Sequence, residues 1–196
     1  MRQRAVALQA SVAMLLLATA PAAAQAPDRV RGYVVDLRGA TSGLTRESVF
    51  FPEIPAETTV PARGFGFDVG AHVYLLTLGP SRIGIGANYV RVRGTSPGVT
   101  ANVSTIAPQL SFNFGGANGW SYLSAGLGRA WVKTTLERAA GLTTADSGGI
   151  SAVNYGGGAR WFLARHIAAG FDVRFHRLSG PASVSLVAVS VGLSVR

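Results

Sequence analysis

The chain has 196 residues, a formal net charge of +9, 48% hydrophobic residues, 25 glycines and no cysteine. A length of this order suits a single domain, and the lack of cysteine excludes a disulfide scaffold and a lipoprotein, whose lipid is attached to a cysteine. A basic chain raises the possibility of nucleic-acid binding, but the arginines are scattered along strands and loops and the chain is predicted to be exported. We therefore expect no nucleic-acid partner.

The N-terminal segment predicts that export. Two arginines precede a short apolar run at 12–20, and small residues follow at 22–24. This order is typical of a secretory signal peptide, which we assign to 1–24, with an alternative end at 26. A retained membrane anchor is the alternative, but the run is shorter than the about 20 residues that a spanning helix needs. Without the two arginines the charge falls to +7, and 27–196 remains as one domain.

In chain order, eight segments then alternate between apolar residues and small or polar ones, as β-strands with two different faces do. We place the strands at about 30–39, 64–78, 82–93, 103–114, 120–136, 154–163, 167–178 and 187–195. Short turns follow the second, fourth and sixth strands, whereas the other connections are mostly longer. Proline-rich 40–63, 94–98 and polar 137–149 are predicted to be loops. Pro108 lies inside the fourth strand, so we expect a kink or a lost hydrogen bond there.

The composition of the two faces separates a membrane barrel from a soluble one. A soluble barrel with an apolar interior would carry about a quarter to a third charged residues outside. Here the polar face is mostly Gly, Ser, Ala and Asn, and the whole chain has one lysine, Lys133. We therefore predict an all-β fold, an eight-stranded antiparallel up-and-down transmembrane β-barrel, with the apolar face toward lipid. Aromatic residues near strand ends are expected to form its interfacial girdles: Phe65, Tyr89, Phe114, Trp120, Trp131, Trp161 and Phe175.

Two stretches carry a family resemblance. The hairpin formed by 156–163 (GGGARWFL) and 169–175 (AGFDVRF), together with 122–128 (YLSAGLG), resembles the small OmpA-like outer-membrane β-barrel domains. The resemblance implies a location in the outer membrane of a Gram-negative-type bacterium and the outer-membrane assembly machinery as a partner. Such barrels usually end in an aromatic residue, whereas this chain ends in Arg196.

Charged and imidazole side chains on the small-residue face are the candidate functional residues. They are Asp36, Arg38, Asp68, His72, Arg160, Asp172, Arg174 and His176. An ion path or a catalytic site is one interpretation. We favour a structural network of ion pairs and hydrogen bonds, because an eight-stranded barrel is only wide enough for side chains to fill it.

The sequence offers little catalytic chemistry. Some eight-stranded barrels deacylate lipid A with a His-x-Ser pair, whose two-residue step places both side chains on one strand face. His176 and Ser179 are three residues apart, and neither His72 nor His166 has a serine two residues on. Three scattered histidines also give no metal site. We expect no enzyme activity, no cofactor and no metal.

The predicted role is therefore structural, or adhesive through an outer loop, with 40–63 as the candidate for binding a surface ligand. A narrow porin-like channel for ions or small solutes is the first alternative, and a lipid A-modifying enzyme the second. Expected partners are outer-membrane lipid and lipopolysaccharide, whose phosphates suit the exposed arginines, and the protein is expected to be a monomer.

Overall fold

The structure, a computed structural model, describes residues 32–46, 50, 55, 58–116, 118–139 and 141–196. Within these residues the chain forms nine strands. Their bounds are β1 Tyr33–Gly43, β2 Arg63–Leu78, β3 Ser81–Ser96, β4 Val99–Gly116, β5 Gly119–Arg138, β6 Gly141–Asp146, β7 Ile150–Phe162, β8 Ile167–Ser179 and β9 Ser183–Val195. The predicted signal peptide, 1–24, lies outside the described residues and stays a prediction.

Eight of the described strands form a closed ring in the order β4-β3-β2-β1-β9-β8-β7-β5, and β5 returns to pair with β4. All pairings are antiparallel. The short strand β6 pairs only with the last part of β5 and extends it as a hairpin beyond the ring. The predicted eight-stranded barrel is therefore confirmed.

No helix among the described residues is both long and apolar enough to cross a membrane.

The two ends of the barrel differ in their connections. The turn end carries the short connections that follow β2, β4 and β7, all three predicted, together with the start of β1 and the end of β9. At the opposite end, the loop end, two expectations are wrong. Only Pro97 and Gly98 separate β3 from β4, with Gly98 at a φ of 70° that a turn glycine tolerates. The loop predicted at 137–149 contains β6, because β5 continues to Arg138 and offers it a pairing edge.

Pro108 interrupts the pairing of β4 with β5, as expected. Ile106 pairs with Arg129 and Gln109 with Gly126, so the two residues between them on each strand drop out of the ladder. On its other side Pro108 still lies opposite Ala87 of β3. Because proline has no N–H to donate, the local loss of pairing follows directly from the residue type.

The outer wall of the barrel is apolar toward the turn end. Exposed aliphatic and aromatic side chains cover every strand of the ring, with Leu37, Leu127 and Val191 each more than 60% exposed. A surface of this kind would be unstable in water over so large an area, and it matches the lipid-facing band of an outer-membrane barrel. Six of the seven predicted girdle aromatics are at least partly exposed on this wall: Phe65, Tyr89, Phe114, Trp131, Trp161 and Phe175. The prediction for Trp120 is wrong, since its side chain is 1% exposed and points into the barrel.

The polarity of the two faces reverses toward the loop end. On β3 the inward residues Val90 and Val92 are buried, while Arg91 and Arg93 between and beyond them are exposed. Strands β4, β5, β8 and β9 change in the same way, so the interior there is a packed apolar cluster, which we call the outer apolar layer. It consists of Ala40, Leu44, Phe50, Val60, Val90, Val92, Val99, Ala101, Val103, Ala130, Val132, Leu136, Ala145, Ile150, Ala152, Leu178 and Leu186. The lumen is therefore polar only in part, because its loop end is filled by apolar side chains.

The long connection between β1 and β2 folds onto this layer. Leu44, Phe50 and Val60 are buried in it, and the Leu44 N–H donates to the carbonyl of Ala62 at 2.9 Å. The Ser96 hydroxyl at the end of β3 donates to the carbonyl of Thr59 at 2.6 Å. These contacts attach both ends of the connection to the barrel mouth and cover the apolar interior. Residues 47–49 and 51–54 lie outside the described residues.

Candidate functional site

All eight residues predicted for the interior point inward, and each is at most 3% exposed. They come from β1, β2, β7 and β8, where they occupy alternate positions on the face opposite the lipid-facing side chains. They lie on the turn-end side of the outer apolar layer. The structure therefore brings residues up to 140 positions apart in the sequence into one enclosed space.

Asp36 on β1 is the most connected carboxylate. Arg160 on β7 grips it in a bidentate pair, with Nε donating to Oδ1 at 2.8 Å and a terminal nitrogen donating to Oδ2 at 2.6 Å. A terminal nitrogen of Arg38 lies 2.8 Å from Asp36 Oδ2, and the Ser194 hydroxyl donates to Oδ1. Two parallel hydrogen bonds of this kind hold the two side chains in a defined orientation, in addition to pairing their charges. Asp36 thereby joins β1, β7 and β9 across the barrel.

Asp68 on β2 forms the second centre. Arg38 reaches it with its other terminal nitrogen, 3.1 Å from Oδ2, and so bridges two aspartates. Ser190 on β9 donates to Oδ2 at 2.8 Å, and the amide of Asn88 on β3 donates to Oδ1. Every carboxylate oxygen in this centre therefore accepts a hydrogen bond.

Asp172 and Arg174 on β8 form the third centre. Arg174 donates to Asp172 from Nε at 3.1 Å and from a terminal nitrogen at 2.8 Å, and the same nitrogen donates to the Ser124 hydroxyl at 2.9 Å. The Tyr122 hydroxyl donates to Asp172 Oδ2 at 2.7 Å. The guanidinium of Arg160 lies over the Tyr122 ring, 3.9 Å from its centre, which is a cation–π contact. Tyr122 thus connects this centre to the one around Asp36.

Together the three centres contain three aspartates and three arginines, and we call this set the ion cluster: Asp36, Arg38, Asp68, Arg160, Asp172 and Arg174. Its formal charges cancel. Buried charges are tolerated only when they are paired and hydrogen-bonded, and both conditions are met here. All three carboxylates are occupied by arginine, so the cluster offers no free carboxylate for acid–base chemistry.

The two predicted histidines stand outside the ion cluster. His72 Nε2 lies 3.1 Å from the side-chain oxygen of Gln109, whose amide donates to Asn154 at 2.9 Å. His176 faces a small cavity just below the outer apolar layer, lined also by Ser42, Thr105, Leu186, Ala188 and three valines. Within the described residues its ring nitrogens have no hydrogen-bond partner.

An aromatic group fills the turn end of the interior. Trp120 packs edge-on against Phe162 and Tyr74, with ring centres 4.9 Å and 6.2 Å apart, and Val34 joins them. The guanidinium of Arg196 stacks on Phe162 at 3.5 Å from the ring centre. The interior is therefore layered, with aromatic side chains at the turn end, ions in the middle and aliphatic side chains at the loop end.

Sequence reasoning did not single out the uncharged members of the network. Tyr122, Asn88, Gln109, Asn154 and three serines complete the hydrogen bonding of the charged residues. Each lies at an inward position of its strand, so the same alternation that selected the charges was a usable signal for them.

The structure does not bring together a nucleophilic pair at His176. The His176 ring is buried in the lumen, whereas Ser179, three residues further along β8, is exposed on the outer surface. Among the described residues no group of three or more His, Asp or Glu side chains is arranged to hold a metal ion.

No family model matches the sequence, and no curated protein matches it. Solved structures do match its fold. Neisserial surface protein A, from Neisseria, has a TM-score of 0.60 at 15% identity, covering 84% of this chain and 97% of that one. The attachment invasion locus protein Ail of Yersinia pestis has a TM-score of 0.56 at 11% identity, covering 85% of this chain and 99% of that one. A further structure of Ail, with the same TM-score, identity and coverage, is a complex with the heparin analogue sucrose octasulfate. The chain has the fold of small eight-stranded outer-membrane β-barrels.

Proposed function

We propose that the chain is a closed bacterial outer-membrane protein that supports membrane integrity and presents its loop end to surface ligands. The observation that carries the proposal is the filled interior. Aromatic, ionic and aliphatic layers follow one another along the axis, and the ion cluster has no net charge. A side-chain-filled, eight-stranded barrel suits an anchor better than a transport path.

The outer apolar layer is the strongest argument against the channel alternative. An ion that passed the ion cluster would next have to cross packed aliphatic side chains such as Val132 and Leu178, which are at most 1% exposed. Transfer of an unpaired charge into such surroundings is strongly unfavourable. The barrel therefore has two independent seals.

The loop end supports the adhesive part of the proposal. The connection between β1 and β2 is fastened at Leu44, Phe50 and Val60, and the β5–β6 hairpin projects beyond the ring. Ail has the same fold at 11% sequence identity to this chain, and its name describes it as an attachment protein. Ail has also been crystallised with the heparin analogue sucrose octasulfate. We place ligand binding in 40–63.

Single-channel recording in planar bilayers tests the sealed barrel. We expect no unitary current steps from the wild type, nor from Asp172→Leu, because the outer apolar layer still closes the lumen. The same substitution lowers the free energy of unfolding by about 3–5 kcal/mol, since it strands Arg174. A parallel comparison on gels of unheated and boiled samples in detergent confirms that each sample contains folded barrel.

Asp146→Leu is the matched control, because Asp146 is half exposed and lies 4.0 Å from Lys133 outside the lumen. It should leave the current unchanged and, since Asp146 also accepts the Gly148 N–H at 2.9 Å, lower the free energy of unfolding by no more than about 1.5 kcal/mol. Stable steps from the wild type, or a lumen variant with normal stability and a large new conductance, would favour the channel instead.

A further inference from the structure

One side of the barrel carries a basic surface just above the apolar wall. Arg91 and Arg93 on β3 and Lys133 on β5 are exposed and project outward, where the inward neighbours belong to the outer apolar layer. We call these three residues the basic face. They lie where the outer wall changes from apolar to polar.

The strand register places the basic face in lateral rows. Arg93 lies directly opposite Asn102 of β4, and Asn102 lies opposite Lys133. One step toward the turn end, Arg91 lies opposite Ser104, which lies opposite Trp131. With strands about 4.8 Å apart, the two cations of the upper row flank an amide at a spacing of about 10 Å.

The rows above and below have different chemistry. One step toward the loop end, four threonines stand side by side: Thr95, Thr100, Thr135 and Thr144. The hydroxyls of Thr135 and Thr144 are 3.3 Å apart. One step toward the turn end from Arg91 are Tyr89 and Ile106, which begin the lipid-facing wall. Ile106 lies opposite the exposed Arg129 of β5, which already donates to the carbonyl of Gly149 at 2.9 Å. The surface thus runs from apolar through cationic to hydroxyl-rich.

The three side chains of the basic face have few polar contacts within the described residues. Within the described residues the guanidinium groups of Arg91 and Arg93 make no ion pair or hydrogen bond. Lys133 has a carboxylate neighbour, Asp146, but at 4.0 Å and with both side chains about half exposed. On the opposite side of the barrel, β9 presents Ser183 and Ser185 at this level, and Arg177 of β8 already donates to Ser183 at 3.2 Å. Arg177 is thus already hydrogen-bonded, whereas Arg91 and Arg93 are not, in the part of the chain that the structure describes.

We propose that the basic face binds the phosphorylated sugar headgroup of an outer-leaflet glycolipid of the lipopolysaccharide class. The inference rests on the proposed membrane location. The acyl chains lie along the wall below Tyr89 and Ile106, a phosphate is held by Arg91, Arg93 and Lys133, and sugar hydroxyls meet the threonine row. Arginine suits the phosphate because its planar fork donates two parallel hydrogen bonds. The order of the three rows matches the order of chemical groups in such a lipid.

Binding of purified lipid A to the folded protein in neutral detergent tests the proposal. We compare wild type with the triple variant Arg91→Gln, Arg93→Gln, Lys133→Gln, following the fluorescence of neighbouring Trp131. Since one cation near a charged lipid surface contributes about 1 kcal/mol, we expect affinity to fall at least about tenfold. The matched control, Arg82→Gln, Arg165→Gln, Arg177→Gln, removes the same charge elsewhere and should stay within about twofold, as remote surface changes usually do.

Four ligands identify what is bound: lipid A, enzymatically dephosphorylated lipid A, phosphatidylglycerol and inorganic phosphate. We expect lipid A to bind the wild type more tightly than the other three ligands do. In the triple variant, we expect only the affinity for lipid A to fall. We further expect Thr100→Val with Thr135→Val to weaken lipid A binding but not phosphatidylglycerol binding. Equal loss in both triple variants, equal binding of the dephosphorylated lipid, or competition by inorganic phosphate at matched concentration would each overturn the proposal.

Conductance and gel mobility of the same samples separate this proposal from the proposed function. A triple variant that is sealed and folded yet binds lipid A normally refutes the basic face alone. A barrel that conducts while the triple variant loses lipid A binding refutes the sealed interior and leaves the basic face standing.

Discussion

Replacing Asp36 by asparagine lowers the free energy of unfolding by about 3–5 kcal/mol, the usual cost of removing one partner from a buried ion pair. The substitution keeps the shape of the side chain and removes only its charge. Arg160 then has no carboxylate, while Arg38 keeps Asp68 at 3.1 Å. The destabilisation comes mainly from the uncompensated guanidinium of Arg160, which is 1% exposed. Equilibrium unfolding by guanidinium chloride in lipid vesicles, followed by tryptophan fluorescence, measures it.

Two further variants identify the cause of that loss. Asp146→Asn removes an exposed carboxylate that lies 4.0 Å from Lys133, and exposed pairs contribute at most about 1 kcal/mol. Asp36→Asn combined with Arg160→Gln removes both charges, so the double variant should be less destabilised than the sum of the two single variants. If Asp36→Asn is no more costly than Asp146→Asn, the ion cluster is not what holds β1 to β7.

Alternation along the strands was sufficient to predict the fold and the inward position of the eight candidate residues. Alternation could not predict which of these side chains contact one another. Asp36 and Arg160 are 124 residues apart, and they meet only because the ring closes through β1 and β9 and each strand is staggered against the next. Alternation specifies a face, whereas the partner on that face depends on register and barrel width.

The outer apolar layer escaped prediction for a related reason. The sequence of β3 alternates throughout, but the residues with inward parity change from Gly and Asn to Val90 and Val92, and those with outward parity change to Arg91 and Arg93. The prediction of a polar lumen assigns one polarity to each face over the whole length of a strand. Physically, the outward face must match lipid below and water above, whereas the inward face need only fill the lumen, so the polarity of the inward face can change along the strand. The position of Trp120 follows the same logic, since it shares its parity with Tyr122 and Ser124.

Leu178 best distinguishes a lumen that is polar along its whole length from one that is closed by the outer apolar layer. It shares a face of β8 with Asp172, Arg174 and His176, yet it is completely buried in the outer apolar layer. If the lumen were filled with water, truncating Leu178 would change the free energy of unfolding little, because its methyl groups would be hydrated in the folded state as well. In the packed layer the truncation removes transfer free energy and leaves a cavity. We therefore expect Leu178→Ala to lower the free energy of unfolding by about 2–5 kcal/mol.

Leu142→Ala is the matched control for this second experiment, because Leu142 lies on the projecting β6 hairpin and is 71% exposed. Surface substitutions of this kind usually change stability by no more than about 0.5 kcal/mol. Both variants are unfolded under identical conditions, and their slopes against denaturant are compared so that a change in the unfolded state is recognised. Similar small losses at both positions would mean that the loop end of the lumen is open and wet, and the second seal proposed for the barrel would then be absent. A large loss at Leu178 alone places the apolar closure inside the barrel, directly behind the exposed arginines of β3.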